Sequence, residues 1–191
     1  MSGDKKRADV SKPDPRDGGQ LENVDFSDGD NMLVRPFDPV DTTSLRELFA
    51  QSIEYLTTDD YNDDQRLAWV SRAEDWDEFD ERLKSGDTFV IEIDTERAGF
   101  TLFKNGNEID MLFVHPYFVR SGVGTKLLKS VEQLARARGC EEITVDASDT
   151  AREFFEKHGF VATERHLIEI DGQWLSNATM TKTLADEGSL T

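Results

Sequence analysis

The 191-residue sequence predicts a single α/β domain: a mixed, mostly antiparallel sheet of about seven strands flanked by helices. Three observations predict it. Residues 108–128 pass from an alternating apolar/polar run, through a short loop closed by Gly122 and Gly124, into a stretch with Leu127, Leu128, Val131, Leu134 and Ala135 on one helical face. That is strand, tight loop, helix. A further strand over 141–147 follows, and its parallel pairing with the first completes a β–α–β unit. The remaining strands are short alternating runs separated by turn residues, the pattern of hairpins and meanders.

Taken in order, residues 1–30 are polar and dotted with Pro13, Pro15, Gly18, Gly19 and Gly29, with too few apolar side chains to offset the entropy of ordering; they read as a flexible tail. Lys5 to Arg7 is a short cationic run set among aspartates, a solvated charge run rather than a nucleic-acid arm. The domain occupies 31–184, and 185–191 form a short polar tail. Residues 32–37 give a first strand, stopped by Pro36 and Pro39. Asp41 or Thr42 then caps a helix carrying Leu45, Leu48, Phe49, Ile53 and Leu56, with a capping box expected between Ser44 and Glu47. After a break at 57–60, a second helix carries Leu67, Ala68 and Val70, and a third runs from Trp76 to Lys84, ended by Gly86. Strands over 88–94 and 98–104 are joined by a hairpin turn at 95–97, and Asn105-Gly106-Asn107 turns into the strand at 108. In that strand simple alternation sets Ile109, Met111 and Phe113 against Glu108, Asp110 and Leu112. Two last strands, 162–170 and 174–182, flank the turn signal Asp171-Gly172.

Acidic residues outnumber basic ones 40 to 22, a net charge of −18. This argues against a nucleic-acid backbone or an anionic membrane surface as the main partner, and an amine-bearing partner is easier to accommodate. An aspartate-rich surface equally serves to keep a chain in solution. The single Cys140 excludes an internal disulfide framework, has no metal-ligand spacing around it, and reads as a small buried apolar residue. No metal site is expected. Without a long apolar run or a leader-like apolar stretch, the chain is expected to be cytoplasmic, as a monomer or homodimer.

A loop that feeds a helix start presents unpaired N–H groups and the positive end of the helix dipole, and so suits a phosphate or pyrophosphate. The loop here is neither the dinucleotide fingerprint nor a Walker loop. Val119-Arg120-Ser121-Gly122-Val123-Gly124 resembles the acyl-CoA loop Q/R-x-x-G-x-G/A of the GNAT N-acetyltransferase superfamily, with valine at the Gln/Arg position and an arginine displaced by one. A second segment, Ser148 to Phe160, resembles the same superfamily's N-x-x-A-x-x-L-Y-x-x-x-G-F. Ser148 stands at the Asn position, Ala151 and Gly159-Phe160 match, Phe154 replaces Leu, and Phe155 replaces Tyr. A third, Asp60 to Trp69, is similar to the D-Y-x-x-x-Q-x-x-x-W segment of a bacterial subgroup of small GNAT acetyltransferases. The resemblance covers residues 31–184.

It implies a fold in which the fourth and fifth strands splay and the pantetheine arm of acetyl-CoA sits in the gap, paired with backbone groups of Leu112, Phe113 and Val114. It further implies a pyrophosphate held by the loop through Val119, Arg120, Ser121, Gly122, Val123, Gly124 and Thr125, with Ser148, Ala151, Phe154 and Phe155 along the cofactor. Arg120, Lys126 and Arg152 either offset the phosphate charge or are ordinary surface cations. By the same resemblance Tyr61, Trp69 and Asn177 line the acceptor pocket, although Trp69 equally fits a helix-face core position. The implied activity is transfer of acetyl from acetyl-CoA to a primary amine of a small molecule or protein N-terminus, by direct attack in a ternary complex. An alkylamine must lose a proton before it attacks. Asp110 is the first expectation for the base and Glu108 the second, each otherwise a solvated strand-face carboxylate, with His115 and His158 ranked lower. The Val114 N–H is the expected donor to the oxyanion. Phe155 has no proton to give a departing thiolate, which keeps open the alternative of a catalytically silent acyl-CoA sensor or regulatory module.

Overall fold

Alternating runs and helical stripes settle into twelve main elements over residues 31–184, the part of the chain that the structure, a computed structural model, describes. The tails expected at 1–30 and 185–191 lie outside the described residues. The strands are β1 (Leu33–Pro36), β2 (Asp87–Ile93), β3 (Glu96–Lys104), β4 (Glu108–Val114), β5 (Glu142–Ser148), β6 (Val161–Ile170) and β7 (Gln173–Thr183). The helices are α1 (Thr42–Leu56), α2 (Asp63–Ser71), α3 (Trp76–Lys84), α4 (Val123–Ala137) and α5 (Asp149–Lys157). The strands form one sheet in the order β1-β2-β3-β4-β5-β7-β6, antiparallel at every junction except the parallel β4–β5 pair.

Helices cover both faces. On one, Leu45, Leu48 and Phe49 of α1 and Phe79 and Leu83 of α3 pack on Val90, Phe100 and Met111; on the other, Leu128 and Val131 of α4 and Phe155 of α5 pack on Ile109, Val145 and Met180. The stripe read on α4 is the buried face, Leu134 lying at its margin. Each such side chain contributes roughly 1.5–3 kcal/mol when fully buried. The start of α4 seats on β3 at Gly99, where a Cβ would stand 2.6 Å from Val123 Cγ1. Only glycine fits there.

Three local expectations are corrected. Pro39 pre-sets a helical φ, so a short 3₁₀ turn, Pro39–Asp41, precedes α1; the capping box is Asp38 with Asp41, not Ser44 with Glu47. The β2–β3 hairpin turns on two residues with left-handed backbone, Asp94 (φ 48°) and Thr95 (φ 71°), and β3 therefore begins at Glu96. In β4, Leu102 pairs with Met111 but Phe103 with Ile109, which leaves Asp110 as the extra residue of a bulge. The bulge reverses the side-chain phase. Ile109 faces the α4/α5 core, whereas Met111 and Phe113 face the α1/α3 core, so the three do not share a face.

The same bulge ends the parallel pairing. β4 and β5 are paired only at Glu108–Thr144 and Ile109–Val145, both before Asp110. A bulged strand bends, and beyond this point the two strands part.

Candidate functional site

A cleft of about 270 Å³ opens where β4 and β5 separate, walled by Met111, Leu112 and Phe113 on one side and Val145, Ala147 and Ser148 on the other. Register fixes which main-chain groups face it. The His115 N–H donates to the Ala98 carbonyl (2.9 Å), so Phe113, two residues earlier, is also bonded to β3, opposite Phe100. Leu112 and Val114 are the alternate positions, and their N–H and C=O groups point into the gap. The expectation for Phe113 is corrected accordingly: its backbone is spoken for by β3, and it is the side chain that lines the cleft.

Beyond β4 the chain makes a turn at Pro116–Phe118, runs extended at Val119, and passes through left-handed backbone at Arg120 (φ 63°) and Gly122 (φ 90°) into α4. Gly122 is the N-cap and offers no side-chain acceptor, so the first N–H groups of α4, on Val123, Gly124 and Thr125, have no partner within the helix. The two glycines do different work. A Cβ on Gly122 would meet nothing, and glycine is needed there for the left-handed φ. A Cβ on Gly124 would stand 3.2 Å from Phe154 Cε2, so this glycine lets α5 approach α4.

Hydroxyls and imidazoles around the loop are engaged. Ser121 Oγ donates to the Phe118 carbonyl at 2.6 Å. His158 Nδ1 lies 2.7 Å from the Phe154 carbonyl, which only accepts, so Nδ1 carries the proton and Nε2 accepts from the Thr125 hydroxyl at 3.1 Å. His115 Nδ1 accepts from the Tyr117 N–H (3.1 Å) and caps the turn. Neither histidine lines the cleft.

Ser148 caps α5 by accepting from the Ala151 N–H at 3.2 Å, the task an asparagine performs equally well. Its edge and that of Ala151 line the cleft beside Phe155, a ring 2% exposed and packed against Phe160.

The cleft wall also holds Asn177, paired with Ser148 across β5 and β7, Trp69, packed on Phe113, and Glu108 and Asp110 near the start of β4, together with two residues the sequence reading did not single out, Arg72 and Arg82. Trp69 lines the cleft and also packs against the α1/α3 core. Tyr61 is corrected. It is 3% exposed and outside the cleft wall; its hydroxyl donates to the Ser176 carbonyl (2.7 Å) and accepts from the Asp149 N–H (2.9 Å), and burial pushes its pKa up. The residues around it act alike. Asp60 accepts from Thr150 Oγ1 (2.6 Å), and Gln65, in a capping box with Asn62, donates to the Trp174 carbonyl (2.7 Å). The segment from Asp60 to Gln65 thus fastens α2 to α5 and β7. The capping box Asn62–Gln65 is a local pattern that marks the start of α2, whereas the partners on α5 and β7 lie far off in the sequence.

Asp110 is neither solvated nor free. Its side chain is 10% exposed and accepts from Arg82 Nε (2.8 Å) and Lys104 Nζ (2.7 Å). Burial pushes its pKa up, but the bonds from Arg82 and Lys104 outweigh burial and hold it below the ordinary carboxylate range. A carboxylate so held is a weak proton acceptor. Glu108 is half-exposed and accepts from Asn105 Nδ2 at 2.8 Å. Among the described residues no helix is long and apolar enough to cross a membrane, and no three His, Cys, Asp or Glu side chains group as metal ligands.

Known proteins share this arrangement. Residues 57–184 match the family model described as an acetyltransferase (GNAT) domain. The uncharacterized N-acetyltransferase YafP of Escherichia coli K12 is 32% identical over 150 residues, covering 78% of this chain and 95% of its own. A GCN5-related N-acetyltransferase from Rhodopseudomonas palustris superposes with a TM-score of 0.78 at 45% identity, covering 80% of this chain and 95% of that one. The PaiA N-acetyltransferase of Thermoplasma acidophilum, solved in complex with coenzyme A, shares the fold at a TM-score of 0.66 and 17% identity, over 80% of this chain and 99% of that one. A sheet opened by a bulge in β4, an unshielded helix start beside the opening, and these matches lead to one conclusion: this chain belongs to the GNAT acetyltransferase family.

Proposed function

We propose that the protein transfers acetyl from acetyl-CoA to the primary amine of a small molecule, both substrates being bound together. The observation that carries this reading is the pairing of β4 with β5 for only two residues, followed by gap-facing backbone at Leu112 and Val114 and the open N-terminus of α4. Main-chain groups of that kind satisfy an extended amide-bearing arm as a strand would. The N–H groups of Val123, Gly124 and Thr125 suit a diphosphate. The structural relative from Thermoplasma acidophilum was solved in complex with coenzyme A, which supports a coenzyme A thioester as the cosubstrate.

In this reading the acceptor amine loses a proton to Glu108, directly or through one water, while Asp110 stays charged and fixes Arg82 and Lys104. The neutral nitrogen, held about 3–3.5 Å from the thioester carbon, attacks it. A C–N bond forms and the carbonyl oxygen takes up negative charge against the Val114 N–H. The C–S bond then breaks. The nitrogen gives up its second proton and the thiolate gains one; with a thiol pKa near 8.5 this needs no dedicated acid, so Phe155 is compatible with turnover.

The test is an acetyl-CoA consumption screen over diverse amines, read by release of free thiol. Turnover of at least one amine is expected, and Glu108→Gln is expected to lower kcat/KM by roughly 10²-fold. Binding of acetyl-CoA with no turnover of any amine would favour the silent sensor that the missing Phe155 hydroxyl keeps open.

A further inference from the structure

Arg72 and Arg82 are the cleft residues that the acyl-transfer reading leaves unused. Arg72 closes α2, where its backbone N–H bonds to the carbonyls of Trp69 and Val70, and its exposed side chain lines the cleft. Among the described residues that side chain forms no ion pair or hydrogen bond. Arg82, on α3, gives Nε to Asp110 at 2.8 Å; its two terminal nitrogens have no partner among the described residues, and the side chain is 32% exposed. Two guanidinium groups thus address one cleft in a chain of net charge −18.

The phosphates of coenzyme A are not their natural partner. Those belong at the start of α4, whereas Arg82 is bonded to Asp110 in the first half of β4 and Arg72 lines the same cleft. From Asp110 the strand runs a further four residues, roughly 13 Å, to Val114 before the loop that leads to α4. Arginine presents a planar fork that matches carboxylate and phosphate oxygens, and two like charges facing one space are eased by an anion between them. Glu108 lies in the same wall to receive an ammonium, with Trp69 and Ile168 as apolar lining for the carbon skeleton.

Resting on the acetyl-transfer reading, we infer that the acceptor amine also carries an anionic group, a carboxylate or a phosphate, held by Arg72 and the free end of Arg82. The amine and the anion are then read by opposite charges in one cleft.

Steady-state kinetics with the full chain test this on matched substrates: alanine against alaninamide, ethanolamine phosphate against ethanolamine, and putrescine as a cation. The anionic member of at least one pair is expected to have a kcat/KM at least about tenfold higher, and which pair responds separates carboxylate from phosphate. Arg72→Gln is expected to raise KM for that substrate by about tenfold or more with a smaller change in kcat, and Arg72→Lys to restore part of it. Preference for the neutral or cationic amines, or an anion preference that survives Arg72→Gln, overturns the inference. A second measurement stands apart from turnover. With the coenzyme A site saturated, inorganic phosphate should raise Tm of the native protein and not of an Arg72→Gln, Arg82→Gln double variant. An equal shift in both proteins refutes the anion site even if acetyl transfer is confirmed. Absence of turnover with all amines refutes the acetyl-transfer reading, and the substrate inference with it, even if that phosphate shift is seen.

Discussion

The carboxylate of Asp41 is fully buried, and it accepts from Arg35 Nη1 (2.7 Å), Arg35 Nη2 (2.8 Å) and Arg97 Nε (2.9 Å). Burial pushes its pKa up, but the bonds from Arg35, the Asp38 N–H and Arg97 prevail and hold it at about 2, against 3.8 for an ordinary aspartate. A depressed carboxylate stabilises the fold above its unfolded pKa and loses that contribution as pH falls through its folded one. An acid titration of stability should therefore show a loss on the order of 2 kcal/mol between about pH 4 and 2 that is absent from Asp41→Asn. The variant itself should be less stable by about 1–3 kcal/mol at pH 7, because Arg35 and Arg97 lose the charge of one carboxylate and keep only that of Glu92. Tyr61→Phe should cost about 1–3 kcal/mol in denaturant unfolding by stranding the Ser176 carbonyl and the Asp149 N–H, with a smaller effect on catalysis than a pocket residue would show. At this scale the sequence was only half legible. Ser148 and Trp69 were singled out through the resemblance and not for the cap and core contacts they make, and Tyr61 finds its partner on Ser176, a separation of 115 residues that no spacing rule reveals.

Strand, loop and helix around 108–137 were readable because each carries its own period and each is punctuated by proline or glycine. The bulge was not, since Asp110 occupies what looks like an ordinary polar place in an alternating run, and the extra residue shows only when β4 is laid against β3. That one residue sends Ile109 to one core and Met111 to the other and frees β4 from β5. The ion pairs of Asp110 are hidden for a related reason: Arg82 and Lys104 come from α3 and β3, and a carboxylate between them looks solvated in one dimension. The loop glycines separate two physical demands. Gly122→Ala should cost about 1 kcal/mol through its left-handed φ and weaken acetyl-CoA binding. Gly124→Ala should be relieved by Phe154→Leu, since the added methyl meets that ring; a double-mutant cycle on stability that shows no coupling would contradict the packing role.

As a whole the molecule sets a strongly acidic surface around a site that must admit an anionic cosubstrate. On the proposed placement of acetyl-CoA, the net charge of −18 repels its phosphates at long range, while the attraction of the α4 amides acts only at contact. The association rate of acetyl-CoA is accordingly expected to rise several-fold as ionic strength increases from about 0.01 to 0.15 M, the Debye length shrinking from about 30 to 8 Å; stopped-flow binding measures it, and a falling rate would show that local cations dominate. The meander of β2, β3 and β4, the parallel β4–β5 pair and the β6–β7 hairpin were legible from sequence because hairpins and a β–α–β crossover admit few topologies; that β7 rather than β6 lies beside β5 was not. The anion-bearing arginines were not, because they reach the cleft from separate helices. What binds at the parted strands is most directly measured by backbone amide exchange with and without acetyl-CoA. Exchange should slow at Leu112, Val114 and Val123 to Thr125 together, the amides that face the gap and open α4. Saturating acetyl-CoA that left those amides unchanged while protecting another part of the sheet would contradict a cosubstrate held in the opening.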